Sequence, residues 1–287
     1  MPRLRATLRR LGMGLSTVLG LRARGFFIPY RYADRIRRPQ PAYAAIESLF
    51  ARQAAVMTAV LDQIDDHADD LAAIAADAEP PEPRWRQGWF CRLDAAAAYV
   101  MVRRSRPARI VEIGSGHSTR FLARALRDGV LATAFTCIDP APLAEIAGIG
   151  VDVHADVVQT APPGLFGALG PGDILFVDSS HLAQPGSDVD WLAGRVLPRL
   201  ARGVLVHIHD ILLPDDYPPA WFWRGYNEQT VAAALMAGGG FRPLFSSHYA
   251  VTRLAGRVAE GAAAGLPLVE GGLETSLWLE KTVDPVG

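Results

Sequence analysis

Short apolar runs separated by helical stretches dominate the middle of the chain. The runs occupy residues 108–113, 134–139, 150–155, 173–178 and 203–210. Between them, residues 118–129 and 191–203 carry apolar side chains at helical spacing, with Ser118 as the predicted N-cap of the first helix. Short strands that alternate with helices are typical of a parallel sheet covered on both faces. The pattern therefore predicts an α/β, doubly wound fold.

The flanking regions extend this fold at both ends. Residues 41–77 place apolar side chains on one broad helical face, which predicts one long helix or two, and a proline-rich linker follows. The segments 241–249 and 275–281 predict two closing strands. We therefore expect an N-terminal helical extension with its linker over residues 1–84, and the sheet domain over residues 85–287.

The composition limits the classes of partner. Half of the 287 residues are hydrophobic, and 29 basic against 30 acidic residues give a formal net charge of −1. Because such a chain has no bulk attraction for polyanions, we expect no nucleic-acid partner. Cys91 and Cys137 show neither C-x-x-C nor zinc-ligand spacing, which favours two buried thiols in a reducing cytoplasm.

The N-terminus has some features of a targeting segment. Residues 1–25 are rich in arginine around a mildly apolar middle, but glycines interrupt that middle and no small-x-small cleavage site follows. No uninterrupted apolar stretch reaches the roughly 18 residues of a membrane-spanning helix, so we expect no span. Two interpretations stay open: a solvated or docked helix, and a basic amphipathic helix in peripheral contact with a membrane surface.

A glycine turn follows the first predicted strand, in the sequence VEIGSGHSTR at residues 111–120. Gly114 and Gly116 allow a sharp turn and the close approach of a ligand. The free N–H groups at the start of the next helix point to the same place. Thr119 occupies the position at which dinucleotide-binding turns often have a third glycine.

Two acids flank this turn. Glu112 lies two residues before it, where a carboxylate repels a pyrophosphate and suits a positively charged ligand. Asp139 ends the second predicted strand, where an acid can accept hydrogen bonds from ribose hydroxyls. The pair favours a nucleoside with a cationic end and no phosphate, namely S-adenosylmethionine. The alternative is structural: a charge at a strand end and a turn-forming aspartate before Pro140.

Residues 108–140 resemble the first two motifs of class I S-adenosylmethionine-dependent methyltransferases. The resemblance spans residues 25–281 and points to a bacterial subgroup of that superfamily. The other matching stretches are FFIPYRYAD (26–34), GWFCRLDAAAAYV (88–100), FVDSSH (176–181), HDILLPDDYP (209–218) and YNEQ (226–229). The resemblance implies a Rossmann-like sheet of seven strands, mostly parallel, with a reversed last hairpin.

The resemblance also implies roles for individual residues. The implied cofactor-binding residues are Glu112, Gly114, Ser115, Gly116, Ser118, Asp139 and Asp156. Those in and next to the turn would hold the amino-acid end of S-adenosylmethionine. Asp139 would hold the ribose, and Asp156, after the third strand, would contact the adenine edge.

A second polar group follows the next two strands. Asp178 and His181 come just after the fourth strand, and His209 and Asp210 end the fifth. Because neighbouring strands lie about 4.8 Å apart, we expect these side chains to face one another.

Three interpretations of this group stay open. In the first, His181 or His209 is a general base that Asp178 orients. In the second, Asp178 and Asp210, with or without His209, bind Mg²⁺ or another divalent metal, as acids at these two strand ends do in some O-methyltransferases of the superfamily. In the third, all of these groups are structural.

Aromatic residues and one further acid lie near the expected site. The aromatic side chains of residues 218–236 form either a substrate wall or a helix-packing core, and those of residues 85–90 either cover the site or pack on the sheet edge. Glu228 in the YNEQ motif either faces the substrate or is structural.

These features favour an enzyme that transfers a methyl group to a small-molecule acceptor, with oxygen as the expected atom because a base or metal would remove an acceptor proton. An NAD(P)-linked oxidoreductase on a similar sheet is one alternative, against which Thr119 and Glu112 argue. A non-catalytic protein that binds a cofactor or a membrane surface is the other.

Overall fold

The computed structural model describes residues 2–142 and 145–286, which belong to two compact units. The first unit, Met1–Gln40, contains helix α1 (Pro2–Val18) and a short 3₁₀ turn (Ala33–Arg35). The second unit, Pro41–Gly287, contains the sheet and the other described helices.

Seven strands form one sheet in the order β3-β2-β1-β4-β5-β7-β6. They are β1 (Arg109–Ile113), β2 (Ala134–Ile138), β3 (Asp152–His154), β4 (Ile174–Val177), β5 (Leu205–Ile208), β6 (Phe241–Ser246) and β7 (Leu277–Lys281). Strands β1 to β5 pair in parallel, and β7 runs antiparallel to both β5 and β6. The predicted fold class, including the reversed last hairpin, is confirmed.

The boundary between the two units falls after Gln40 and not after residue 84. The apolar stripe of residues 41–77 is shared by three helices. They are α2 (Ala44–Arg52), α3 (Ala54–Asp66) and α4 (Ala68–Ala72). Their stripe is buried in the same core as the sheet, where the ring of Phe50 packs edge to face on Tyr249 with centroids 5.4 Å apart. Because this stripe is buried against the sheet domain, these helices belong to that domain.

The remaining helices cover the sheet. They are α5 (Arg92–Ser105), α6 (His117–Asp128), α7 (Pro163–Gly167), α8 (Asp188–Trp191), α9 (Glu228–Ala237), α10 (Ser247–Arg253) and α11 (Ala255–Glu260). In α5, four consecutive alanines at positions 95–98 are completely buried, and their small side chains let the helix pack closely on its neighbours.

Two predicted elements differ from the structure. Residues 247–249, predicted as strand, begin helix α10, because the hydroxyl of Ser246 accepts a hydrogen bond from the Tyr249 N–H and caps that helix. The predicted helix at 191–203 begins earlier, at Asp188, and continues as a wide π turn over Leu192–Val196. It ends in a 3₁₀ turn around Pro198, which has no N–H to continue a helix.

No single helix among the described residues is long and apolar enough to cross a bilayer, although α2 and α3, bent by 61°, pass that test as a pair on length and composition.

Candidate active site

The carboxyl ends of the parallel strands bring the predicted site residues to one edge of the sheet. The backbone ladder continues past the strands: the Asp178 N–H donates to Ile113 O, and the His209 N–H donates to Val177 O, both at 2.9 Å. The Asp139 N–H donates to His154 O at 3.1 Å. The residues that follow β1, β2, β4 and β5 are therefore held in register with one another.

Gly114 brings the glycine turn against the end of β4. Its φ is +86°, and a Cβ atom built at this position would lie 2.0 Å from the backbone oxygen of Asp178. Only glycine fits such a contact, because any side chain would overlap a backbone atom that cannot move freely. The turn predicted from the sequence is confirmed, but the tight contact at Gly114 is with the protein's own backbone.

Glu112 is completely buried, and its two carboxylate oxygens are bound by the start of α6. The Ser118 hydroxyl donates to Oε1 at 2.6 Å, the Thr119 hydroxyl donates to Oε2 at 2.7 Å, and the Cys137 thiol lies 3.3 Å from Oε2. Burial raises the pKa of Glu112 to about 7, and these hydrogen bonds offset only part of that effect. In this structure Glu112 therefore fixes the geometry of the turn.

Helix α6 begins one residue earlier than predicted. His117 is its first residue and Gly116 its N-cap, so the predicted N-cap role of Ser118 is wrong. The reason is that the Ser118 hydroxyl bonds to Glu112, while Thr119 closes the turn by accepting a hydrogen bond from the Gly116 N–H at 2.8 Å.

Asp139 and Ser115 form the second part of the turn. The Ser115 hydroxyl donates to Asp139 Oδ2 at 2.8 Å, and the Ala141 N–H donates to Oδ1 at 2.7 Å. Asp139 is 8% exposed, whereas Asp156, after β3, is exposed and caps its own loop through the Val157 N–H. The structure thus brings Ser115 and Asp139 together at the turn, whereas Asp156 lies on the surface.

The second predicted group also assembles. Asp178 Oδ1 lies 3.4 Å from His181 Nε2 and 3.4 Å from His209 Nδ1, so one carboxylate contacts both imidazoles. Asp210 contacts the same rings from its two oxygens, at 3.6 Å for His181 and 3.7 Å for His209. We call these four residues the histidine–aspartate cluster.

The backbone turns sharply at two members of this cluster. His181 has φ +58° and Asp210 has φ +55°, in the left-handed region that residues other than glycine rarely adopt. Strict alternation along β5 would have put Asp210 on the face opposite His209. Because the strand ends at Ile208, the left-handed residue returns the Asp210 side chain to the cluster.

Two acids that the sequence did not assign complete the cluster. Glu228 Oε2 accepts a hydrogen bond from His181 Nδ1 at 2.9 Å, so the acid of the YNEQ motif contacts the cluster through His181. Asp94 on α5 is completely buried, lies 3.5 Å from His209 Nε2 and accepts the backbone N–H of Thr275. Both acids lie in stretches that carry the family resemblance, YNEQ and GWFCRLDAAAAYV, but no local pattern indicated their partners, which are 47 positions from Glu228 and 115 or more from Asp94.

The charges of the cluster stabilise one another. Burial alone would lower the pKa of His181 and His209, but the surrounding carboxylates outweigh it and raise both pKa values well above the ordinary one. Burial alone would raise the pKa of Asp178, but His209 and His181 hold it well below its usual range. The Asp178 side chain is 32% exposed, whereas the two imidazoles are buried. Asp178 is thus the ionised group of the cluster that reaches solvent.

A metal site at Asp178 and Asp210 gains no support from the geometry. Among the residues that the structure describes, no group of three or more His, Cys, Asp or Glu side chains is arranged to hold a metal ion. The two imidazole rings lie between the carboxylates and contact both of them. The metal interpretation remains a prediction.

An aromatic wall stands beside the cluster. The Tyr226 ring packs with its centroid 4.7 Å from that of His181, and it also contacts the rings of Tyr217 and Trp221 at about 6 Å. The Arg224 guanidinium stacks over Trp221 at 4.3 Å and lies 3.6 Å from Asp210. In the other aromatic segment Trp85 and Phe90 are core residues, and the exposed residue is Trp89.

Residues 111–211 match the family model described as a methyltransferase domain. No curated protein matches the chain significantly. Three solved structures are similar to it in fold. The S-adenosylhomocysteine-bound methyltransferase PaMTH1 of Podospora anserina is 15% identical, with 90% of this chain and 100% of that chain covered and a TM-score of 0.40. An O-methyltransferase from Bacillus cereus in complex with S-adenosylhomocysteine is 12% identical, with coverage of 83% and 100% and a TM-score of 0.40. The O-methyltransferase TomG from Streptomyces achromogenes, in complex with S-adenosylmethionine, is 17% identical, with coverage of 78% and 90% and a TM-score of 0.39.

The family match begins within β1 and covers β2, β3, β4 and β5, together with the glycine turn and all four residues of the histidine–aspartate cluster. The sequence resemblance implied seven strands with a reversed last hairpin, and the observed sheet has both, with β7 reversed between β5 and β6. Residues 111–211 therefore match a methyltransferase domain, and the seven-stranded sheet that contains them has the doubly wound fold expected from the sequence.

Proposed function

We propose that this chain transfers the methyl group of S-adenosylmethionine to an oxygen atom of a small acceptor. The observation that carries the proposal is the position of Asp178. Its backbone oxygen packs against Gly114, and its carboxylate contacts both His181 and His209. One residue therefore joins the turn assigned to the cofactor and a charged group suited to proton transfer.

The residues of the turn fit a nucleoside with free hydroxyls. Each Asp139 oxygen accepts one hydrogen bond within the protein, and a carboxylate oxygen can accept a second. Asp139 therefore keeps acceptor capacity for a ribose. In this proposal Glu112 supports the turn and does not contact the cofactor, because its oxygens are already bound by Ser118 and Thr119 and it is completely buried.

The cluster would prepare the acceptor. Asp178 accepts a hydrogen bond from the acceptor hydroxyl and aligns its oxygen, while the buried histidines hold the carboxylate in place. S-adenosylmethionine, when bound, supplies an electrophilic methyl group on a sulfonium. Asp178 receives the hydroxyl proton as the methyl carbon exchanges its bond to sulfur for one to the acceptor oxygen, and, because its side chain reaches solvent, it passes that proton on to water. His181 and His209, predicted as bases, thus act through Asp178.

Cofactor binding is tested by calorimetry with S-adenosylhomocysteine. We expect wild-type protein to bind it and Asp139→Ala to bind it more weakly by about 1–3 kcal/mol, as for lost buried hydrogen bonds. Asp152→Ala, which removes an exposed acid from β3, is the matched control and should leave the affinity unchanged. Wild-type affinity in Asp139→Ala would refute the ribose assignment. Thermal stabilisation by NADH and not by S-adenosylhomocysteine would favour the oxidoreductase alternative.

Turnover is tested by S-adenosylhomocysteine formation with a panel of small phenols and alcohols. We expect Asp178→Asn to keep its affinity for S-adenosylhomocysteine and to lose about 10²–10⁴-fold in turnover, the usual range for a lost acid–base group. Asp152→Asn is again the control. Undiminished turnover in Asp178→Asn would contradict the assignment. Full activity in excess chelator would favour the cluster alone, whereas activity that chelation abolishes and Mg²⁺ restores would favour the metal interpretation.

A further inference from the structure

The two compact units carry opposite charge. Residues 1–40 contain ten arginines, no lysine and a single acid, Asp34, for a net charge of +9. The rest of the chain holds 19 of the 29 basic residues and 29 of the 30 acidic ones, for a net charge of −10. The near-neutral total therefore conceals a strongly cationic N-terminal unit.

Helix α1 in this unit is amphipathic. Leu8, Leu11, Leu15 and Val18 follow one another at spacings of three, four and three, which places them on one helical face, and each is 57–59% exposed. The helix contains four arginines and no acid. A cationic helix whose apolar stripe is exposed is the type that lies in a membrane interface.

A second apolar group follows the helix. Phe26, Phe27 and Ile28 are consecutive and are 55–65% exposed, with Arg24 and Arg31 on either side. The Arg31 guanidinium lies over the ring of Tyr32 at 4.6 Å. Aromatic residues next to arginines suit the boundary between lipid headgroups and acyl chains.

We propose that residues 1–40 bind the surface of a bilayer that contains anionic lipids. The leucine stripe of α1 and the Phe26–Ile28 group enter the interface, and the arginines meet the lipid phosphates and carboxylates. Charge complementarity favours an anionic surface, and the exposed apolar side chains favour a lipid over a nucleic acid, whose phosphates need no apolar contact.

The test is co-sedimentation of the full chain with vesicles of phosphatidylcholine, with and without roughly one-third phosphatidylserine. We expect at least about tenfold stronger binding to the anionic vesicles, weakened by salt. Leu11→Asp with Leu15→Asp, and separately Arg9→Glu with Arg10→Glu, should each weaken that binding about tenfold or more.

Matched controls lie in the second unit. Arg104→Glu with Arg202→Glu makes the same charge change at exposed positions, and Val130→Asp places the same acid on a side chain that is 90% exposed. Both should bind vesicles within about twofold of wild type. Thermal unfolding of the variants should stay close to that of wild type, since none of the substituted residues is buried, and Val130→Asp should unfold at the same temperature or higher because aspartate tolerates the φ of +49° at that position better than valine.

Equal binding to both kinds of vesicle, or equal losses in the control and N-terminal variants, would overturn the proposal. No binding to anionic vesicles would also overturn it. Because none of these measurements uses S-adenosylhomocysteine or an acceptor, the proposal stands or falls independently of the proposed methyl transfer.

Discussion

Glu112 and Asp178 are two acids at neighbouring strands, and their surroundings shift their pKa values in opposite directions. Glu112 lies in β1 and meets two hydroxyls and a thiol, all of them neutral donors, and its pKa rises to about 7. Asp178 follows β4 and meets two imidazoles, and its pKa falls well below the usual range. The difference lies in the charge of the donors, because neutral hydrogen bonds do not offset complete burial and cationic partners do.

The two acids differ in the same way in their access to solvent. Glu112 is completely enclosed and ties β1 to the first turn of α6. The Asp178 side chain is 32% exposed and presents its charge at the sheet edge. The surroundings of the two acids meet at Gly114, which packs against the backbone oxygen of Asp178. Three substitutions test the contacts that set this contrast.

Gly114→Ala should have the largest effect. The new methyl group would lie 2.0 Å from the Asp178 backbone oxygen at φ +86°, so overlap and the left-handed conformation together should lower the free energy of unfolding by about 4 kcal/mol. Gly164→Ala, at a position in α7 with open space around it, is the control and should change it by less than about 1 kcal/mol. Denaturant unfolding measures both. Similar values for the two variants would mean that the turn and the end of β4 are not in contact.

Glu112→Gln should change how stability depends on pH. The folded pKa of Glu112, about 7, lies above its ordinary value of 4.5, so the folded state binds this proton more tightly than the unfolded state does. The carboxyl's contribution to stability is therefore fully present below about pH 4.5 and is lost as the pH rises towards 7. Relative to wild type, the glutamine variant should gain about 2 kcal/mol in unfolding free energy between pH 5 and pH 8.

Measuring the difference between the two proteins at each pH cancels the other titrating groups, which both share. A difference that stays constant from pH 5 to pH 8 would show that Glu112 is ionised at an ordinary pKa, and the contrast with Asp178 would disappear.

Thr119→Val should have the smallest effect of the three. It removes the donor to Glu112 Oε2 and the acceptor for the Gly116 N–H, at a completely buried position, and should cost about 1 kcal/mol in unfolding free energy. Thr160→Val, at an exposed position, makes the same chemical change and should cost less than about 0.5 kcal/mol. Equal costs in thermal unfolding would remove Thr119 from the support of the turn.

The sheet, and the places of the candidate site residues at the ends of its strands, could be predicted from the pattern of apolar and polar residues. Short apolar runs located β1 to β5, since a strand that is buried on both faces is apolar along its length. The acids and histidines that end those runs were assigned to one edge of the sheet. A helical repeat located the apolar stripe of residues 41–77, because burial of one helical face leaves apolar residues about every 3.6 positions in the sequence.

The contacts that those residues make could not be predicted in the same way, because they depend on how the helices and strands pack together. Glu112 binds the hydroxyls of Ser118 and Thr119 at the start of α6. Asp94 contacts His209, and Glu228 contacts His181, from helices that are distant in the sequence. The left-handed residue at Asp210 returned its side chain to the cluster against the strand's alternation. Periodicity records which face of an element is buried, whereas partners across 47 or 115 positions depend on how elements pack, and that information is not local to any stretch of sequence.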